Sequence, residues 1–291
     1  MALNRGQPLG SVVIPARNEA RVIRRCLDAL FVGFGPGELD VVVVCNGCID
    51  ATAALARCSG HELSVVELED AAKPAALRAG DATATVFPRL YVDADVVFPG
   101  PAARLVLERL RGGALAARPP IRYQTSGASA LVRSYYRARA RVPAVMGSLW
   151  GAGAYGLSAG GRSRFGEFPD LVADDLWVDR LFDPDEVGVV GSTPVVVTVP
   201  RRSGDLVRTL RRTYRGKAEM ASRPDVHGPQ SVTSALRDLA RLAAASPGAA
   251  LDAATYSAFA AGARLALAAQ QVAGASPTGG RWERDNSSRA G

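Results

Sequence analysis

With 291 residues, 48% of them hydrophobic and 22% charged in both signs, the chain is long and apolar enough to bury a full core, which excludes a disordered or collagen-like protein. Residues 1–10 lack the apolar centre of a secretory signal, and no stretch reaches the roughly 18 to 20 uncharged apolar residues of a membrane span, so a soluble, cytoplasmic chain is expected. A net charge of +7 suits anionic partners such as nucleotide phosphates, nucleic acid or a lipid surface, without choosing among them.

In chain order, residues 11–15 read as a short buried strand that leaves through the turn Ala16-Arg17-Asn18-Glu19. Asn18 is placed to cap a helix in which Val22, Ile23, Cys26, Leu27 and Leu30 repeat at helical spacing. The glycine run at 33–37 precedes a strand and does not follow one, so it is a poor dinucleotide fingerprint. Residues 39–44 are almost entirely apolar, as a parallel strand covered on both faces should be. Asn46-Gly47 turns, and Asp50 is placed to cap a helix ending at Arg57.

Cys45-x-x-Cys48 followed by Cys58-x-x-His61 has a zinc-like spacing. A helix between the two pairs would hold them about 12 Å apart, so these cysteines read mostly as small buried residues.

A strand at 63–68, a helix from Lys73 to about Thr85 and a strand at 87–92 follow. That last strand delivers Asp93-Ala94-Asp95, then Val96-Val97-Phe98 turns apolar again before Pro99-Gly100-Pro101 ends the segment. Strand periodicity puts Asp93 and Asp95 on one side, where hard oxygen ligands can hold Mg2+ or Mn2+ over a diphosphate; the alternative is a solvated loop. Four strand–helix alternations before Asp93 predict a doubly wound α/β half whose ligand crevice lies at the carboxyl ends of the strands. Arg17, Glu19, Asn46, Asp50, Asp93 and Asp95 all fall at such ends.

Residues 115–142 read as a strand and then a basic helix carrying Arg133, Arg137, Arg139 and Arg141. Its polar face is either solvated, with Tyr135 and Tyr136 tucked inward, or a grip on an anionic or lipid-linked acceptor. The glycines of Trp150-Gly151-Ala152-Gly153-Ala154-Tyr155-Gly156-Leu157-Ser158 suggest a backbone that comes close to a ligand; a flexible hinge is the alternative. A helix starting at Asp174-Asp175 carries acidic residues in its first turn, which complement its dipole.

Two strands, at 187–190 and 195–199, lead to a basic helix at 208–221. Ala-rich helices at 232–245 and 250–272 are interrupted by Arg237, Arg241, Asp252 and Arg264, which predicts a soluble helical hairpin that packs on the preceding α/β domain, covers its crevice or makes a homodimer. Residues 276–291 are polar and are expected to be disordered. The expected domains are 1–225, split near 118 into two halves, then the hairpin at 226–275.

The ordered set of motifs resembles family 2 glycosyltransferases over about residues 11–216. Val12-Val13-Ile14-Pro15-Ala16-Arg17-Asn18-Glu19 resembles the family's opening strand and turn, Asn46-Gly47-Cys48-Ile49-Asp50 its second nucleotide-binding turn, and Lys73-Pro74-Ala75-Ala76-Leu77 its third segment. Asp93-Ala94-Asp95 takes the place of the metal-binding Asp-x-Asp.

The resemblance implies a GT-A fold, a doubly wound and mostly parallel sheet with helices on both faces plus a C-terminal helical extension. It also implies an inverting transfer from a nucleotide-diphosphate sugar with Mn2+ or Mg2+ as cofactor, and no nucleic-acid partner. It assigns Pro15, Ala16, Arg17, Glu19, Asn46, Asp50 and Lys73 to the donor nucleotide, and Trp150, Gly151, Ala152 and Gly153 to the donor sugar and acceptor. Asp175 is carried over as general base, with Asp174 its neighbour and Arg180 following. Arg212 and Arg215 match a basic segment near the diphosphate, and His227 a late metal ligand; both also read as solvated residues.

One departure bears on the base. Cys45 and Asn46 stand where the family usually has two Asp residues, so uridine is not carried over, and UDP, GDP and dTDP stay open. A small soluble acceptor fits a chain without membrane spans. A sugar-1-phosphate nucleotidyltransferase is the alternative, although it would carry a Gly-rich loop where Pro15-Ala16-Arg17-Asn18-Glu19 stands. A non-catalytic nucleotide-sugar-binding protein on the same fold is the third reading.

Overall fold

The computed structural model describes residues 7–171, 173–221 and 232–272. Along the chain run β1 (Gly10–Ala16), α1 (Ile23–Leu30), β2 (Leu39–Asn46), α2 (Thr52–Arg57), β3 (Ser64–Leu68), α3 (Lys73–Thr83) and β4 (Arg89–Val92). Then come α4 (Gly100–Arg111), β5 (Ala116–Arg118), β6 (Ile121–Gln124), α5 (Ala130–Arg139), α6 (Pro143–Met146), β7 (Ala154–Leu157) and α7 (Ala159–Arg162). The series ends with α8 (Asp174–Asp179), β8 (Val187–Val189), β9 (Val195–Thr198), α9 (Ser203–Ala221), α10 (Val232–Ala245) and α11 (Pro247–Val272). They divide into two compact units, residues 1–121 with 149–196, and residues 122–148 with 197–291.

The first unit is built on a seven-stranded sheet in the order β3-β2-β1-β4-β7-β5-β8. β1, β2, β3 and β4 pair in parallel, β5 pairs β8 in parallel, and only β7 runs against its neighbours. Every residue of β1 is buried, which explains its continuous apolar run. Alternate residues show why both faces are covered. A Cβ on Gly10 would meet Leu107 of α4, whereas Val13, of opposite parity, meets Gly80 of α3. Helices α3 and α4 therefore lie on opposite faces. Gly80 is needed for that approach, because a Cβ there would sit 2.3 Å from Val13 Cγ1. Its absence lets α3 lie close on β1, and the start of α3 then reaches the carboxyl ends of the strands.

Several local expectations change. Asn18 does not cap α1: it sits at φ +52° in the turn, and its amide oxygen accepts from Ile49 N at 2.8 Å, while α1 starts only at Ile23. Asp50 lies one residue before the α2 cap, yet its carboxylate accepts from Thr52 N at 3.0 Å and Ala20 N at 3.2 Å, so it ties the first turn to the second. Helix α4 was hidden by Pro99-Gly100-Pro101, which reads as a break; proline is tolerated in a first helical turn because that N–H has no intrahelical partner. The segment after β5 holds a second strand, β6, before its helix. His61 stacks on Phe31 at 4.3 Å and pairs with Asp28 at 3.0 Å.

In the second unit α5 turns Tyr135 and Tyr136 inward, against Leu206 and Leu210 of α9 and Ala263 of α11. Tyr135 stacks on Tyr256 at 4.9 Å. Asp252 interrupts the apolar run of α11 for a structural reason: it accepts from Ser134 Oγ at 2.6 Å and pairs with Arg137 at 2.6 Å, both on α5. The C-terminal hairpin thus packs on α5 and α9. β6 and β9 form a separate two-stranded ribbon. Among the described residues no helix is long and apolar enough to cross a membrane.

Candidate active site

The carboxyl ends of β1 and β4, the first turn of α3 and the first turn of α8 enclose a pocket lined by Pro15, Lys73, Asp93, Tyr155, Asp174 and Asp175, among others. Its empty volume, open solvent included, is ≈ 230 Å³.

Lys73 organises this pocket. It is the first residue of α3, and its Nζ lies 2.7 Å from Asp93 Oδ1 and 2.8 Å from Asp174 Oδ1. Burial by itself would lower the ammonium pKa, but Asp174, Asp93 and Asp175 outweigh it and hold Lys73 charged well above its usual range. Asp174 is pushed up to about 6, first by burial and then by Asp175 and Asp93, with Lys73 pulling the other way. With the ammonium 2.8 Å away, the ionised carboxylate is the form the geometry supports at neutral pH.

Asp93 and Asp95 are not presented by a strand. β4 ends at Val92, and Asp93-Ala94-Asp95 forms a turn in which Val96 N donates to Asp93 O at 3.0 Å. The two-residue alternation of a strand therefore does not set their directions. Asp93 N donates to Gly153 O at 2.8 Å, and Gly153, at φ +63°, leaves a Cβ only 2.6 Å from Val96 Cγ2 and 3.3 Å from Asp93 Oδ2. A glycine is required here because the backbone lies against Asp93, a contact within the protein itself.

The neighbouring Gly151 N donates to Asp175 Oδ2 at 3.0 Å, and Leu176 N donates to Asp175 Oδ1 at 2.8 Å. Each carboxylate oxygen keeps a second lone pair, so Asp175 is oriented without being saturated.

At the far end of α8, Asp179 Oδ1 accepts from Leu149 N at 2.5 Å. Burial pushes this carboxyl up to about 6; Leu149 N and Arg180 oppose the rise and Asp175 adds to it. A raised folded-state pKa means that the native state binds the proton more tightly than the unfolded state. Stability then falls as pH rises from about 4 to 6, by about 1–3 kcal/mol once partial exposure is allowed for. Asp179→Asn keeps an acceptor for Leu149 N. Its melting temperature should exceed that of the wild type above about pH 7 and converge with it near about pH 4. A gap that does not vary with pH rules out this source of instability.

Of the residues expected from the sequence, the structure gathers Pro15, Lys73, Asp93, Gly153, Asp174 and Asp175 at this pocket. Ala16 is buried at the end of β1, and Arg17 follows it in the turn. Glu19 is buried; its carbonyl accepts from Val22 N and Ile23 N, and its N–H donates to Thr52 Oγ1 at 2.8 Å. Asn46 is buried at the end of β2, Ala94 and Ala152 are buried, and Asp95 and Trp150 are half-buried. Arg212 and Arg215 lie on α9, in the second unit. His227 lies outside the described residues.

Two features escaped the sequence reading. The resemblance assigns Lys73 to the nucleotide, and its bridge between Asp93 and Asp174, 81 positions apart, has no local signature. Tyr155 falls in the 150–158 stretch that the resemblance sets against the donor sugar and acceptor, but nothing along the chain marks its hydroxyl as unpartnered.

Among the described residues no three His, Cys, Asp or Glu side chains gather at metal-ligand spacing. Mg2+, however, is commonly held by one or two carboxylates, completed by water and phosphate oxygens. The hard oxygens of Asp93 and Asp95 fit such an ion.

A family model described as "Glycosyl transferase family 2" matches residues 11–146, the segment that supplies Pro15, Lys73 and Asp93. No curated protein matches the chain. Among solved structures, a mannosyltransferase from Pyrobaculum calidifontis, in complex with GDP-Man and Mn2+, superposes with a TM-score of 0.59 at 22% identity, covering 93% of this chain and 80% of that one. Glucosyl-3-phosphoglycerate synthase from Mycobacterium tuberculosis, in complex with Mn2+, UDP-glucose and glycerol 3-phosphate, superposes with a TM-score of 0.50 at 21% identity, covering 76% of this chain and 81% of that one. Residues 11–146, just under half of the chain, therefore match glycosyl transferase family 2, and the chain has the GT-A fold of these solved structures.

Proposed function

We propose that the chain transfers a sugar, with inversion, from a nucleotide-diphosphate sugar to the hydroxyl of a small acceptor, with Asp175 as general base. The observation that carries this reading is the carboxylate pocket itself. Asp175 is aimed by two backbone donors, beside a buried Lys73–Asp174 pair, at the strand ends of a family 2 domain.

In the reaction, an acceptor oxygen attacks the anomeric carbon from the face opposite the diphosphate. The new C–O bond forms as the bond to the phosphate oxygen breaks, the electron pair leaves with the diphosphate, and the acceptor proton passes to Asp175. Gly151 N and Leu176 N hold the carboxylate in place for that transfer. Lys73 keeps Asp93 and Asp174 from repelling one another. Asp93 and Asp95 would hold Mn2+ or Mg2+, which when bound offsets charge on the departing diphosphate. The turns at 16–19 and 46–50, tied together through Asp50 and Thr52, supply backbone and Asn46 for the nucleotide.

Thermal shift against GDP, UDP, dTDP, GDP-mannose and UDP-glucose, each with Mn2+, Mg2+ or EDTA, tests the reading. A ligand that binds only the native state raises the melting temperature by mass action. A metal-dependent rise with nucleotides of one base is the expected result. No rise with any of them overturns the proposal, and release of pyrophosphate in place of nucleoside diphosphate turns it into a nucleotidyltransferase. Asp95→Ala should remove the metal-dependent part of the shift, and an unchanged shift places the ion elsewhere.

A further inference from the structure

Tyr91 and Tyr155 face each other across the β4–β7 pairing, and their rings stack at 5.1 Å. Their hydroxyls meet different fates. Tyr91 Oη donates to Asp81 Oδ1 at 2.6 Å, within a network that Arg89 and Arg162 complete. Tyr155 is 3% exposed, and its hydroxyl is buried with no hydrogen-bond partner. The same side chain lines the pocket of Lys73, Asp93, Asp174 and Asp175.

A buried donor left unpaired is costly, and phenylalanine would fill the same space without the cost. Burial first, and then Asp174, Tyr91, Asp175 and Asp93, raise the phenol well above its ordinary pKa, so it stays a donor.

We propose that Tyr155 is a substrate-contacting residue whose hydroxyl donates a hydrogen bond to an oxygen of the transferred sugar. This rests on the reading above of the pocket as a nucleotide-sugar site. The ligand chemistry follows from what surrounds the phenol. Asp93, Asp174 and Asp175 are acceptors only, and the Lys73 ammonium is engaged by two of them. A sugar hydroxyl can give its proton to a carboxylate, but its own oxygen then needs a donor, and Tyr155 offers a neutral one. A phosphate oxygen has no proton to give to Asp174 or Asp175, and the diphosphate would meet Asp93 and Asp95 only through their metal ion. The sugar end of the donor, not its diphosphate, matches the phenol.

Tyr155→Phe tests this in the intact protein with Mn2+ present. The melting temperature of the ligand-free variant should equal or exceed that of the wild type, because only an unpaired hydroxyl is lost. Affinity for the sugar nucleotide that the wild type binds, GDP-mannose or UDP-glucose, should fall by roughly tenfold. Affinity for the matching GDP or UDP, which lacks the sugar, should not change.

Wild-type protein that binds neither kind of nucleotide ends the nucleotide-sugar reading and this proposal with it. Wild-type protein that binds both, with Tyr155→Phe binding the sugar nucleotide equally well, ends this proposal alone. Equal weakening of sugar nucleotide and nucleoside diphosphate also overturns it, as does a clear drop in the melting temperature of the ligand-free variant, which would reveal a structural partner for the hydroxyl.

Discussion

Asp175→Asn should bind the sugar nucleotide as the wild type does and lose transfer by about 10²- to 10⁴-fold, the range a positioned general base supplies. The amide keeps the shape of the carboxylate and one oxygen that accepts from Gly151 N, so α8 and the 149–153 segment should stay in place. What disappears is the lone pair basic enough to take the acceptor proton as its oxygen attacks. Because the donor already binds without that proton transfer, the loss should fall on kcat and kcat/KM together, with little change in KM. Single-turnover assays with the bound donor separate this from slowed product release. Turnover retained within about threefold would remove Asp175 as the base.

Lys73→Met carries the other large expected effect, on stability. The ammonium sits between Asp93 and Asp174, and the Asp174 side chain is only 4% exposed. Removing one partner of such a buried pair leaves an uncompensated charge, which costs about 3–5 kcal/mol. Without Lys73 the pull that lowers the Asp174 pKa is gone, while burial, Asp175 and Asp93 still push it up from about 6. The native state then binds a proton more tightly than the unfolded chain, so stability should fall as pH rises through the folded-state value and recover on acidification.

Denaturation at a series of pH values gives the measurement. A second variant, Lys73→Met with Asp174→Asn, should regain much of the loss, because no buried charge is then left without a partner. A Lys73→Met protein less than about 1 kcal/mol below the wild type at neutral pH would show that Asp174 finds another partner.

Much of the first unit could be read from residues in a row. β1 and β2 stand out because a parallel strand covered on both faces is apolar throughout, and their boundaries agree with that pattern. α3 and the Ala-rich C-terminal helices lie close to where the sequence places them. The turns after β1, β2 and β4 are marked by their own residue types, which is why the family motifs could be placed in order.

α4 was lost because proline reads as a break even where it starts a helix. Asn18 looked like a cap, but its side chain is taken by Ile49 N, from a turn 31 residues away.

By itself the sequence determined the α/β class and the mostly parallel sheet, because periodicity and turn chemistry act over a few neighbouring residues; the carboxylates at 93, 95, 174 and 175 were grouped by resemblance alone. Only the tertiary structure decided how those carboxylates are held: Lys73 between Asp93 and Asp174, Gly151 N on Asp175, and the Tyr155 hydroxyl without a partner beside them. The physical reason is range. Burial and the sign of a neighbouring charge depend on which distant segments the fold brings together, and along the chain a tyrosine in a buried strand looks the same whether or not its hydroxyl finds a partner.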